Sequence, residues 1–129
     1  MATAKLLIVD DNAIVRQMIA CLARELGMSV IEAASVDAAR AWLAGGDVDV
    51  LLCDDDLGAG LSGVEFIVSD TMQMPATIVL MSGNPKPNGL QEGIRYLCKP
   101  FTIRQLEIEL LPYPSRSDSA PGIPKSVMI

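Results

Sequence analysis

The chain of 129 residues contains no histidine. Catalytic triads built on imidazole, imidazole metal sites and a phosphohistidine of its own are therefore excluded. Aromatic residues make up only 4% while half of the chain is apolar, so the core must be aliphatic. Basic residues are few: ten Lys and Arg stand against sixteen Asp and Glu, for a formal net charge of −6. With no basic stripe to displace counterions from phosphates, nucleic acid is not expected as a direct partner. No apolar run nears the ~20 residues of a membrane span. Met1 to Asp10 leads straight into a strand without the pattern of a secretory signal, so the expected location is cytoplasmic. The three cysteines, Cys21, Cys53 and Cys98, lack ligand spacing and each lies in an apolar segment. They are expected as buried, reduced thiols. Acid and metal chemistry is left to carboxylates, hydroxyls and lysine.

What is present is organised around Val48 to Gly63, VDVLLCDDDLGAGLSG. An apolar run enters three consecutive carboxylates, Asp54, Asp55 and Asp56, followed by a turn on Gly58 and Gly60 and by Ser62, which reads as a helix N-cap. Apolar runs of this length between helical segments belong to buried parallel strands. Similar runs occur at Lys5 to Asp10, Ser29 to Ala33, Ala76 to Met81 and Ile94 to Cys98. Between them lie helical patterns: Ile14, Val15, Met18, Ile19, Leu22 and Leu26 after Asn12, then Val36, Ala39, Trp42 and Leu43 after Ser35, then Val64, Ile67 and Val68. Ile103, Leu106 and Leu110 form one face of a last helix. The alternation predicts a doubly wound five-stranded parallel sheet of α/β class with helices on both faces. Strand order 2-1-3-4-5, the flavodoxin-like arrangement, sets the first and third strands side by side at the switch point. Residues 1–112 read as one domain, and 113–129, with three prolines and four serines, as a flexible tail.

That order gathers Asp10, Asp11 and Asp54 at the carboxyl edge of the sheet, with Ser82 and Lys99 arriving from the fourth and fifth strands. Carboxylates ~5 Å apart repel by on the order of 3 kcal/mol per pair at an effective dielectric of ~20. A hard divalent cation removes that cost, and oxygen-only ligands suit Mg²⁺. A carboxylate beside such an ion is a nucleophile for phosphoryl transfer, Lys99 can neutralise a phosphoryl oxygen, and Ser82 can hydrogen-bond one. Taken singly, each residue has a plainer role in capping or turns. Their joint placement at strand ends favours chemistry.

These segments resemble the receiver domain of two-component response regulators, of the single-domain, chemotaxis-regulator-like kind. The likeness runs from Lys5 to about Leu111 and rests on LLIVDDN, LLCDDDLGAGLSG, IVLMSG and YLCKPF. It implies that Asp54 is the phosphoacceptor and that Asp10, Asp11, Asp54 and the backbone carbonyl of Asp56 hold Mg²⁺. Ser82 matches the switch hydroxyl, Tyr96 the switch aromatic and Lys99 the catalytic lysine, with a cis peptide expected at Pro100. The chain departs from the pattern at three places. Gly58 stands where the family often has proline, which is expected to loosen that loop. Asp55 replaces an apolar neighbour and is expected to add charge beside the acceptor. Only thirteen residues separate Ser82 from Tyr96, broken by Pro85 and Pro87, so the helix between the fourth and fifth strands is expected to be short or missing.

The resemblance implies a switch rather than a turnover enzyme. A sensor histidine kinase or histidine phosphotransfer protein would phosphorylate Asp54, and an output protein would read the result. Two other readings compete. Asp54-Asp55-Asp56 carries the D-x-D spacing of a haloacid-dehalogenase-type aspartyl phosphatase, with Asp54 as nucleophile and Asp56 as general acid. A flavin- or nucleotide-binding module on the same fold would have to seat a phosphate at the acidic, glycine-free turn DDNA.

Overall fold

The computed structural model of the chain describes residues 3–58, 60–86, 90–91, 93–110 and 128–129. Five strands, β1 (Lys5–Val9), β2 (Ser29–Ala33), β3 (Val50–Asp54), β4 (Thr77–Ser82) and β5 (Ile94–Cys98), form one parallel sheet in the order β2-β1-β3-β4-β5. The helices are α1 (Ala13–Glu25), α2 (Val36–Ala44), α3 (Gly63–Ser69) and α4 (Ile103–Leu110), with a 3-10 turn at Thr71–Gln73. β2 and β5 match their expected bounds, and β4 begins one residue later than the apolar run and takes in Ser82.

The strand alternation divides the core into two layers. Leu6, Ile8, Val50, Leu52, Val79 and Met81 face α1 and α4, where Ile19, Leu22, Leu106 and Leu110 meet them. Leu7, Val9, Leu51, Cys53 and Leu80 face α2 and α3, against Ala39, Leu43, Phe66 and Ile67. Both faces of β1 and β3 are thus buried, which is why these strands read as continuous apolar runs. The carboxyl ends of β1 and β3 lie side by side, because Val9 pairs in register with Cys53. The next residues out of the sheet are then Asp10 and, closing β3, Asp54.

The helix starts are local. Asn12 accepts the N–H groups of Ile14 and Val15 at 3.0 and 3.1 Å, which sets α1 running directly after the acidic pair. Ser62 and Glu65 make a reciprocal capping box at α3. Between β4 and β5 no described residue is helical, in agreement with the expectation of a short or missing helix there. Residues 87–89 and 92 lie outside the described residues. Leu90 packs on the α2–α3 side of the core, together with Ile78 and Tyr96.

Some apolar residues face solvent instead. Ile14 and Met18 on α1, Trp42 on α2 and Val68 on α3 are exposed, although their spacing fits a core stripe. On α1 two apolar stripes coexist, and only the one through Ile19, Leu22 and Ala23 meets the sheet. The thiol expectation fails for two of three: all are free, but only Cys53 is buried. Cys21 lies on the outer stripe of α1, and Cys98 ends an edge strand. Burial, reinforced by Asp54, Asp55 and Asp10, pushes the Cys53 thiol far above its ordinary value. Alkylation of the native protein should therefore modify Cys21 and Cys98 rapidly and leave Cys53 untouched until denaturant is added. Mass spectrometry of the labelled peptides checks this; rapid labelling of Cys53 would contradict the burial of β3. Of the expected tail, 113–127 lie outside the described residues. Met128 and Ile129 are held: Thr102 bridges Met128, and Phe101 exchanges two backbone hydrogen bonds with Ile129.

Candidate phosphoacceptor site

The site is an acidic cluster at the adjacent carboxyl ends of β1 and β3. Asp10 is fully buried and Asp54 is 6% exposed, while Asp11 is exposed at the rim. Carboxylate oxygens of all three lie within 4.8 Å of one another. One oxygen of Asp10 accepts the Asn12 N–H at 2.9 Å; the other, Oδ2, is buried without a hydrogen-bond partner. Its nearest cation is Lys99, whose ammonium stands 3.6 Å from it and 3.3 Å from Asp54 Oδ2. Burial pushes the Asp54 carboxyl above the ordinary carboxylate value, Lys99 draws it back down, and Asp10 adds to the rise. One lysine facing two buried carboxylates leaves local negative charge uncompensated.

A buried carboxylate oxygen with no donor, in a trio of oxygens this close, fits a divalent cation of oxygen preference. Asp10, Asp11 and Asp54 are the residues able to hold one.

The surrounding loops are fixed from several directions. Lys99 is carried on a turn whose first N–H bonds the Ser82 carbonyl at 2.7 Å, and the Lys99–Pro100 peptide is cis as expected. Ser82 is buried, and its hydroxyl accepts the Asn84 N–H at 3.1 Å. The Tyr96 hydroxyl donates to the carbonyl of the same Asn84. Ser82 and Tyr96 are therefore joined through one residue, which no sequence pattern pointed out. Asp56 donates its N–H to Asp54 Oδ1 at 3.3 Å and accepts the Gly58 N–H on its own side chain at 3.2 Å.

Asp55 has a structural partner that the sequence did not indicate. Its carboxylate accepts the Val64 N–H at 3.0 Å, and its carbonyl accepts the Gly63 N–H at 2.9 Å. The extra charge thus serves the amino end of α3, where free N–H groups attract an anion. Gly63 must be glycine for this approach, since a Cβ there would sit 2.5 Å from the Asp54 carbonyl oxygen. Arg16 and Glu32 were also invisible in the sequence. Arg16 donates Nη1 to the Asp10 carbonyl at 2.9 Å and Nε to Glu32 at 3.2 Å, bracing the β1–α1 turn against β2. Only the packing of α1 over β2 brings residues sixteen apart together, so spacing carried no signal.

Residues 6–110 match the model of the response regulator receiver domain. The chain belongs to that family. The phosphate regulon transcriptional regulatory protein PhoB of Pseudomonas aeruginosa is 29% identical over 113 residues, covering 81% of this chain and 49% of that protein. The chain thus spans about half the length of that curated relative. Among solved structures, the chemotaxis protein CheY4 of Vibrio cholerae is 28% identical, with a TM-score of 0.77 over 87% of this chain and 99% of that one. A receiver domain of an HD domain-containing protein from Pseudomonas fluorescens, 24% identical, shares the fold with a TM-score of 0.75, over 84% of this chain and 92% of that one. The dehalogenase alternative is not favoured. The Asp54-Asp55-Asp56 run follows the third strand of a receiver sheet, and the Asp56 side chain is engaged with its own turn. Among the described residues no helix is long and apolar enough to cross a membrane.

Proposed function

We propose that this receiver domain is a phosphoacceptor switch in which Asp54 takes a phosphoryl group from a histidine kinase or histidine phosphotransfer protein. The observation that carries the reading is the position of Asp54. Its buried carboxylate lies 3.3 Å from the Lys99 ammonium and within 4.8 Å of two further carboxylates, one of which has a buried oxygen with no hydrogen-bond donor. An Asp54 oxygen attacks phosphorus, the bond from phosphorus to the donor nitrogen breaks, and the imidazole leaves with its electron pair. Asp10, Asp11 and the backbone carbonyl of Asp56, with Asp54 itself, would hold Mg²⁺. Bound there, Mg²⁺ supplies the positive charge that offsets the carboxylates and the incoming phosphoryl oxygens. Lys99, 3.3 Å from Asp54 Oδ2, would neutralise a phosphoryl oxygen added there. Ser82 turns its hydroxyl to a phosphoryl oxygen, and the change passes through Asn84 to Tyr96, whose movement an output protein reads. Cytoplasmic location follows from such a partner.

Beryllofluoride, a phosphoryl mimic, tests the reading. In the presence of Mg²⁺ it should bind one equivalent per chain and shift the amide signals of Ser82, Asn84 and Tyr96 together. No binding in millimolar Mg²⁺ would sink the phosphoacceptor assignment, and steady turnover of a phosphomonoester would instead revive the phosphatase.

A further inference from the structure

The turn that carries Lys99 is anchored twice, and its second anchor lies outside the region matched to the family. At its start the Lys99 N–H is bonded to the Ser82 carbonyl at 2.7 Å. Two residues later, Phe101 donates its N–H to the Ile129 carbonyl at 3.2 Å, and its own carbonyl accepts the Ile129 N–H at 2.7 Å. The adjacent pair, Thr102 and Met128, continues this as an antiparallel bridge. The Ile129 side chain packs half-buried on the core layer that holds Phe101, Ile103, Leu106 and Leu110. The matched region stops at residue 110.

We propose that Ile129 is a positioning residue for Lys99, acting through the backbone of Phe101. Phe101 is completely buried, backbone included, so its backbone polar groups need partners from within the protein. Ile129 provides one for each. Without it, the span from Lys99 to Thr102 is fixed at the Ser82 end and by the Phe101 ring, but its peptide planes are freer to rotate. With it, the lysine ammonium is held 3.3 Å from Asp54, where it would meet an added phosphoryl oxygen. Preorganisation of this kind strengthens binding by removing the cost of ordering the arm at the moment of binding. The coupling is reciprocal: whatever fixes the Lys99 ammonium at Asp54 must also favour the Ile129 strap. This inference rests on Asp54 being the phosphoacceptor.

The test uses the full chain, a variant lacking residues 128 and 129, and the point variants Ile129→Asp, Ile129→Ala and Ile129→Val. Beryllofluoride affinity in Mg²⁺ is measured by calorimetry, and exchange of the Phe101 amide by nuclear magnetic resonance. Deletion and Ile129→Asp should each deprotect the Phe101 amide and weaken beryllofluoride binding about fivefold, the low end of coupling between sites. Ile129→Val should restore both, and beryllofluoride should slow Phe101 exchange in the full chain, a response that a merely structural contact would not give. If the deletion does not fold, Ile129→Ala, which keeps the backbone groups but loses the side-chain packing that seats them, should move both readouts in the same direction by a smaller amount. Free exchange of Phe101 in the full chain would overturn the inference alone, as would unchanged affinity in a variant whose Phe101 amide is deprotected. Absence of beryllofluoride binding to the full chain would overturn the phosphoacceptor reading, and the coupling with it.

Discussion

Asp54→Asn should give a folded protein that takes up no phosphoryl group from acetyl phosphate or from a phosphohistidine donor. The amide keeps the shape of the carboxylate and can still accept the Asp56 N–H, so β3 and its turn are preserved. Its neutral oxygen lacks the charge that makes a carboxylate nucleophilic enough to attack phosphorus, and uptake should fall to the background of unspecific labelling. The same variant should raise stability without metal. Burial holds the Asp54 carboxyl above its ordinary range, so the folded state binds that proton more tightly than the unfolded chain does. The stabilisation this provides is complete below the ordinary carboxylate range and is lost as pH rises through the raised value. Asp54→Asn should therefore be more stable than the parent at neutral pH, and the difference should shrink towards pH 4. Denaturant melts across pH 4 to 8 measure the trend. Undiminished labelling of Asp54→Asn would place the acceptor elsewhere, and a gap that widens in acid would contradict the electrostatics.

Mg²⁺ at millimolar concentration should raise the melting temperature by about 10 °C. A ligand bound only by the folded state contributes ~2.7 kcal/mol at a hundredfold excess over its dissociation constant, and a domain of this size gains about 4 °C or more for each kcal/mol. The source of the effect is the trio of oxygens within 4.8 Å, with one lysine against two buried carboxylates. Asp11→Ala removes the exposed member without opening the core. It should slightly stabilise the metal-free protein and flatten the response to Mg²⁺. Differential scanning fluorimetry with and without a chelator decides this; a curve that Mg²⁺ leaves in place would show that the carboxylates do not form a metal site.

Most of the sheet was legible because β1 and β3 are buried on both faces, which leaves an uninterrupted apolar run ended by an aspartate. Asn12 and Ser62 announced the helices that follow, since a cap and its N–H partners lie within three residues. The site residues at strand ends could be placed together because topology alone fixes that edge. What could not be read was everything decided by direction. Spacing does not say which apolar stripe of α1 meets the sheet, and Ile14, Met18 and Cys21 lie on the one that faces solvent. Nor does it say where a side chain turns: Asp55 goes to Val64, nine residues on, and Arg16 reaches Glu32 across a helix–strand contact. The pairing of Phe101 with Ile129 spans a stretch in which composition suggested only a tail.

Gly58 limits how far this sequence can be moved toward the average of its relatives. The resemblance to receiver domains implies proline as the common choice here, and replacing an unusual residue with a common one often stabilises. In this molecule φ at Gly58 is +76°, and its N–H bonds the Asp56 side chain at 3.2 Å. Proline fixes φ near −65° and has no N–H to give. Even a Cβ would stand 3.1 Å from an Asp11 carboxylate oxygen. Gly58→Pro should lower the melting temperature rather than raise it, and should weaken the Mg²⁺ response by displacing Asp11. The loop is adapted to its own glycine, and consensus design would have to change Asp56 and its turn together or leave position 58 alone.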